Sequence, residues 1–358
     1  MKLHGKSGKM IKKKFWQNKK VLVTGHTGFK GAWICLVLWT LGAKVYGYSL
    51  RPEKYQILYN VFKLKKILVK SIFGNIENKK KLFFFLKKIK PEIIIHCAAQ
   101  SLVLNSYKNP EKTFTTNIIG TINILEFAKN NKVKSCVIVT SDKCYENIKK
   151  KIFNENDPLG GKDPYSASKA CCEIISNAYK FSFFNKNIVA TVRAGNVIGG
   201  GDFSTNRIVA DFFLSHFKNK EIYLRYPKSS RPWQYILDVV NGYLLVAKKL
   251  YNNEIGVSSA WNFGPEIKNN LTVEKLIKKF KFAAKSNIII KSKKSKLHES
   301  NQILLSNLKS KSKLNWKSKL NLDQFIKETS EWYLSYKNKK DMFNYSSFLI
   351  KKFNFYSI

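Results

Sequence analysis

The sequence predicts an α/β protein: a doubly wound parallel sheet with helices on both faces, followed by a smaller C-terminal α+β region. Two observations carry this. Through the first half, short apolar runs rich in β-branched residues alternate with longer helical stretches, and such alternation builds parallel sheets covered on both sides. After about residue 195, punctuation at Gly199-Gly200-Gly201, Pro227, Pro232 and Gly264-Pro265 breaks the chain into mixed short elements. A length of 358 residues with 44% apolar and 14% aromatic content supports one large domain or two intimate ones.

The elements follow in order. Residues 1–15 read as a basic, disordered tail without an apolar leader, and Met10 is an alternative start. Val21 to Thr24 reads as a buried strand, Gly31 to Leu41 as a helix and Lys44 to Ser49 as the second strand. Ile93 to His96, Cys136 to Thr140 and Ile188 to Val192 are further strands, separated by helical segments near 78–90, 111–130 and 165–184. The run Ala32 to Leu41 is too short to span a bilayer. The stretch 291–312 reads as loop-rich, and 346–358 as a C-terminal tail.

The formal charge of +42, from 65 Lys+Arg against 23 Asp+Glu, first suggests a nucleic-acid partner. Arginine occurs only at Arg51, Arg193, Arg207, Arg225 and Arg231, while base-edge and phosphate-fork recognition favours arginine. The lysines are scattered rather than striped, and Lys, Asn, Ile and Phe are all abundant, as an A- and T-rich coding sequence produces. The sequence therefore points to no specific nucleic acid and no membrane, but to a surface that attracts anions with steep salt dependence. Six cysteines without a CxxC pair or metal-finger spacing fit a reducing cytoplasm and no metal.

The first strand runs into Thr24-Gly25-His26-Thr27-Gly28-Phe29-Lys30-Gly31. Glycines at 25, 28 and 31 give a tight turn, a close approach of backbone to a pyrophosphate, and close helix-strand packing, with the helix N-terminus facing the anion. The strand-turn-helix context is what turns a weak glycine pattern into a dinucleotide site. The sheet is thus Rossmann-type: 16–195 is the dinucleotide-binding domain, with 236–263 returning to it, and 196–345 is mainly substrate-binding. The ribose position at the end of the second strand holds Arg51, with Glu53 close by, which leaves NAD against NADP open. Asn75, in Gly74-Asn75-Ile76, suits an adenine contact or an ordinary turn.

Pro164-Tyr165-Ser166-Ala167-Ser168-Lys169 places a Tyr and a Lys four apart, on one helix face. Upstream, the end of the Cys136 to Thr140 strand delivers Ser141-Asp142-Lys143, at the edge where parallel sheets hold ligands. With the glycine loop, these motifs resemble the extended short-chain dehydrogenase/reductase family, of the NAD-dependent epimerase/dehydratase type. Further segments carry the likeness: His96-Cys97-Ala98-Ala99-Gln100, Arg193-Ala194-Gly195-Asn196, Arg231-Pro232-Trp233-Gln234 and Trp261-Asn262-Phe263-Gly264-Pro265. It runs from about residue 15 to about 346. The pair Asp142-Lys143 resembles the CDP-glucose 4,6-dehydratases, where dTDP-sugar dehydratases typically carry Asp-Glu.

The resemblance implies NAD, CDP-glucose as substrate and a homo-oligomer, either dimer or tetramer. It implies that Tyr165, Lys169 and Ser141 serve oxidation at C4, and that Asp142 and Lys143 serve as acid and base in the loss of water across C5 and C6. Cofactor contacts fall on Gly25, Thr27, Gly28, Phe29, Lys30, Gly31, Arg51, Asn75, Ile76, Ala98, Ala99, Gln100, Asn117, Tyr165 and Lys169. Substrate contacts fall on Gln100, Ser141, Asn196, Arg207, Arg231 and His298. Asn117 equally suits a cap or kink, His298 an exposed position, and His26 and His96 read as packing or loop residues. Two other functions share part of the pattern. One is a sugar-nucleotide 4-epimerase, or a dehydratase for another NDP-glucose. The second is a non-catalytic nucleotide- or nucleic-acid-binding paralogue.

Overall fold

Seven parallel strands make the main sheet: β1 (Lys20–Thr24), β2 (Lys44–Ser49), β3 (Lys70–Phe73), β4 (Ile93–His96), β5 (Ser135–Val139), β7 (Val189–Ala194) and β11 (Ala260–Phe263). They lie in the order β11-β7-β5-β4-β1-β2-β3, every pairing parallel. The computed structural model describes residues 15–146, 152–185, 187–204, 206–266, 270–292 and 304–355. Val21 to Val23 and Ile93 to Ile95 are fully buried without alternation, because helices cover both faces of the sheet. Strand order reverses between β1 and β4, so a crevice opens beyond their carboxyl ends, where ligands of such sheets sit.

The remaining strands are short. β8 (Asn196–Ile198) pairs with β10 (Ser230–Tyr235), which pairs antiparallel with β12 (Asn270–Thr272). β9 (Ile222–Leu224) pairs with β13 (Ile290–Ser292), and β6 (Ile152–Phe153) with β14 (Leu304–Leu305). One apolar cluster runs from Trp16 through the sheet to Trp332 and Phe355, so the later region shares a core with the first half. Among the described residues, no helix is long and apolar enough to cross a membrane.

Three elements differ from the sequence expectation. The first helix begins at Phe29 rather than Gly31, because Gly28 in extended geometry (φ −78°, ψ 167°) serves as its N-cap. The run 111–130 is interrupted by a π turn, Thr115–Ile119. There the Asn117 carbonyl accepts the Thr121 hydroxyl at 2.7 Å and the Cys172 thiol at 3.2 Å. The third difference is a correction: the segment from 346 is no tail through Phe355. It belongs to the helix Met342–Phe353, capped by Asp341, whose Oδ1 accepts the N–H groups of Phe343 and Asn344. Its Leu349, Ile350 and Phe353 are buried, and Lys319 Nζ closes the far end on the carbonyls of Phe353 (2.9 Å) and Asn354 (2.6 Å). Apolar side chains at helical spacing drive that docking. At the other end Phe15 packs edge-on against Trp16 and Tyr251, and residues 1–14 lie outside the described part.

Candidate active site

β1 delivers the chain into a turn whose geometry only glycine allows at two points. Gly25 sits at φ +70°, and a Cβ there would lie 2.8 Å from the Ala98 nitrogen. A Cβ on Gly31 would lie 2.2 Å from the Gly25 carbonyl oxygen. No side chain caps the helix that starts at Phe29, and its first turn holds no acidic residue. The N–H groups of that turn and the positive end of the helix dipole therefore remain for an anion in the adjoining cleft.

The other strand ends complete this wall. Ala98 N–H donates to Thr24 Oγ1 (3.2 Å), and the Thr24 hydroxyl bonds His96 Nδ1 (2.7 Å). Because the Thr121 hydroxyl gives its proton to the Asn117 carbonyl at 2.7 Å, it accepts from His96 Nε2–H at 3.4 Å, and Nδ1 accepts the Thr24 hydroxyl. Burial holds His96 down to about 3 and His26 down to about 4. His26 bonds Ser71 Oγ at 2.7 Å. At the ribose end Thr27 Oγ1 and Ser49 Oγ are bonded at 2.7 Å, and the Arg51 guanidinium lies over the Phe73 ring at 5.4 Å. Asn75 Oδ1 accepts Glu77 N–H (3.1 Å), a turn contact, while the residue also lines the cleft.

β5 ends at Val139, and a single 3₁₀ turn, Asp142–Cys144, follows. Ser141 caps it: its Oγ accepts Lys143 N–H at 3.2 Å and donates to Asp142 Oδ1 at 2.9 Å. The facing helix, Pro164–Phe183, starts with proline in its first turn and Asp163 as N-cap, whose Oδ1 accepts Ser166 N–H at 3.0 Å. It presents Tyr165 and Lys169, both buried, on one face, and Lys169 Nζ donates to the Val139 carbonyl at 3.0 Å. Ser141, Asp142, Lys143, Tyr165 and Lys169 line one cleft of about 330 Å³ with the glycine turn, Arg51, Asn75, Ile76, Ala98 and Ala99. Lys30 stands in the same cleft. Burial pushes its ammonium down to about 8; Cys97 and Asp142 oppose the shift, while Arg207 and Lys169 add to it.

Asn196 and Arg207 also line the cleft. Gln100 and Asn117 stand behind its wall. The Gln100 amide bonds Leu102 and Thr113 (Nε2 to Leu102 O 3.1 Å, Nε2 to Thr113 Oγ1 3.0 Å, Oε1 from Leu102 N 2.6 Å). Asn117 Oδ1 accepts Gln100 N–H at 2.8 Å, and Nδ2 donates to Ser168 Oγ at 2.8 Å, tying the loop after β4 to the Pro164–Phe183 helix. Arg231 is buried on β10 and donates to the Ser230 carbonyl at 3.0 Å. His298 lies outside the described residues. Sequence reasoning missed Cys97, Ser101, Asp202 and Ser204, which also line the cleft. Asp202 directly follows the Gly199-Gly200-Gly201 run, and Cys97 and Ser101 flank Ala98-Ala99-Gln100, so all three were legible there, whereas Ser204 reaches the site only through folding. A wider groove of about 580 Å³ at 60–63 and 336–342 holds none of the proposed catalytic groups.

The GDP-mannose 4,6 dehydratase family model matches residues 22–329. The chain is 38% identical over 344 residues to a CDP-glucose 4,6-dehydratase of Salmonella typhimurium, covering 93% of this chain and 95% of that one. Among solved structures, the UDP-glucose 4-epimerase of Thermotoga maritima with UDP-glucose superposes with a TM-score of 0.78 at 23% identity, over 88% of this chain and 99% of that one. The Thermus thermophilus UDP-glucose 4-epimerase complex with NAD gives 0.76 at 23%, over 88% and 98%.

Proposed function

This chain belongs to the GDP-mannose 4,6 dehydratase family, and on that premise we propose that it is an NAD-dependent lyase converting CDP-glucose to CDP-4-keto-6-deoxyglucose. The observation that carries the reading is the meeting of Tyr165 and Lys169 with Asp142 and Lys143 in one cleft beside the glycine turn. Identity to the Salmonella enzyme supports cytidine and glucose as the substrate's parts.

The uncapped first helical turn, the close-packed Gly25 and Gly31, and the Thr27–Ser49 and Arg51 end of the cleft fit a dinucleotide. When bound, NAD supplies the hydride acceptor for C4 and the hydride donor to C6. The protein's own groups move the protons. Tyr165 takes the 4-hydroxyl proton at its phenolic oxygen, Ser141 hydrogen-bonds the same substrate oxygen, and Lys169, one turn along the same helix with its Nζ held by the Val139 carbonyl, supplies the positive charge of the pair. The 4-ketone acidifies C5–H, so Lys143 Nζ suffices as base, while the Asp142 carboxyl protonates the departing 6-hydroxyl, which leaves as water. Lys143 returns its proton to C5, and passage of one proton from Tyr165 to Asp142 resets the site. Ser141 and Asp142 are only 6% and 7% exposed, which keeps bulk water from competing.

An epimerase needs no acid and base at 142 and 143, so the substrate panel decides. CDP-, UDP-, dTDP- and GDP-glucose are incubated with enzyme and NAD, and products are read by mass spectrometry and by the alkaline absorbance of the 4-keto sugar. A 4-keto-6-deoxy product from CDP-glucose is expected. UDP-galactose from UDP-glucose would overturn the reading in favour of an epimerase. The product is a deoxysugar precursor, which we assign to cell-surface polysaccharide such as lipopolysaccharide O-antigen. Free thiols at all six cysteines support a cytoplasmic setting. Exposed Ile119, Ile174, Phe181 and Phe183 on and beside the catalytic helix support a homo-oligomer through that helix.

A further inference from the structure

The catalytic helix carries a further charged group on the stripe that presents Tyr165 and Lys169. Glu173 lies one turn beyond Lys169 and is 4% exposed. Arg193 of β7 grips its carboxylate with two bonds, Nε to Oε1 at 2.8 Å and Nη2 to Oε2 at 2.8 Å. The hydroxyl of Thr140 donates to Oε1, and that of Thr191 donates to Oε2 at 2.5 Å. Arg193 Nη1 donates to the Tyr145 hydroxyl oxygen at 2.6 Å, and that hydroxyl donates to Asn262 Oδ1 at 2.7 Å. The Tyr145 ring is stacked on Phe153 at 4.8 Å, with the guanidinium over it at 4.8 Å. Glu173 holds the guanidinium in its charged form, and burial raises the Tyr145 phenol above its ordinary range, so that the hydroxyl stays a donor.

Thr140 and Tyr145 bracket the segment Ser141–Cys144. Both ends of the turn that bears Asp142 and Lys143 are thus fastened to one buried ion pair. The carboxylate of that pair belongs to the helix that bears Tyr165 and Lys169. A buried pair of this kind adds little net stability compared with apolar packing; what it provides here is register between two elements. We propose that Glu173, Arg193 and Tyr145 are positioning residues that hold the acid–base turn in register with the Tyr165–Lys169 pair, so that elimination acts on the same sugar pose that presents C4. The proposal rests on the dehydratase reading above.

Removing Glu173 or Arg193 strands a buried charge and threatens folding, so the test uses hydroxyls. Tyr145→Phe keeps the ring stack and deletes the group joining Arg193 to Asn262. Thr140→Val deletes the other fastening, and Thr140→Ser restores it. Each variant is assayed on CDP-glucose carrying deuterium at C4 or at C5. Tyr145→Phe and Thr140→Val are expected to lose about ten- to a hundredfold in kcat, the scale of a small misplacement, with KM, NAD affinity and melting temperature close to wild type. The C5-deuterium isotope effect on kcat should rise while the C4 effect does not, and Thr140→Ser should recover. Wild-type kcat and isotope effects in both deletions would overturn the proposal, as would equal slowing of both steps with a lowered melting temperature. If wild-type protein makes no 4-keto product from any nucleotide-glucose, the dehydratase reading falls first and takes this one with it.

Discussion

Replacing Gly31 and Gly28 by alanine separates the folding role of the glycine turn from its binding role. On Gly31 the new Cβ would stand 2.2 Å from the Gly25 oxygen, 2.8 Å from the Gly25 carbonyl carbon and 3.0 Å from His26 Cα, all backbone. Comfortable contact needs about 3.5 Å, so the turn must retreat by roughly 1 Å. It has little room, because Gly25 N–H is bonded to the Tyr48 carbonyl at 2.9 Å and the turn abuts Ala98. Overpacking of this sort costs about 1–3 kcal/mol, and the apoprotein should already show it. On Gly28 the nearest atom to a new Cβ is the Gly25 oxygen at 3.4 Å, and the backbone angles are ordinary for alanine. Gly28→Ala should therefore leave the apoprotein at wild-type stability. It should weaken NAD by about 1.5–3 kcal/mol, or about ten- to a hundredfold in Kd, as hydrogen bonds to the charged pyrophosphate are pushed away. Urea denaturation of both apoproteins and calorimetric NAD titration provide the readings. Equal destabilisation by both substitutions, or wild-type NAD affinity in Gly28→Ala, would refute the reasoning.

Four further predictions follow from the same structure. Tyr165→Phe should abolish turnover with NAD binding retained, whereas Asp142→Asn should lower product formation by about a hundredfold or more while C5–H exchange with solvent deuterium persists. Retained dehydration in Asp142→Asn would remove that residue as the proton donor. Between the ordinary histidine value of 6.5 and about 3, unfolded chain binds a proton that folded His96 does not, so stability falls as pH drops through that window. His96→Asn should flatten this acid slope in melting experiments, leaving the parts due to His26, which burial holds down to about 4, and to Glu77 and Glu92, whose carboxyls are held below the ordinary range. An unchanged slope would mean that His96 is solvated. Ile350→Ala, at a side chain 1% exposed, should cost about 2–5 kcal/mol in chemical denaturation; a neutral result would return the C-terminal helix to the status of a tail.

Much of the site was legible because its parts are local. Tyr165 and Lys169 are one helical repeat apart, and Ser141, Asp142 and Lys143 are consecutive, so wherever the strand end goes they go together. The Asp341 cap before Met342 is equally local, whereas the docking of 346–355 depends on Leu349, Ile350 and Phe353 meeting the distant core. Asn117 and Gln100 are different. The Asn117 amide turns to the Gln100 backbone and to Ser168, and the Gln100 amide to Leu102 and Thr113, which no spacing along the chain announces.

By itself, the sequence determined the alternation of strand and helix, the glycine turn and the placing of Ser141-Asp142-Lys143 at a strand end and of Tyr165 and Lys169 on one helix face, since each follows from backbone geometry within a few residues. The tertiary structure alone decided that β5 delivers its turn to the face of the Pro164–Phe183 helix. It also decided that Glu173 meets Arg193 and that the last helix docks on the core. Those contacts join residues far apart in the chain through packing and desolvation, and neither leaves a periodic mark in the order of amino acids.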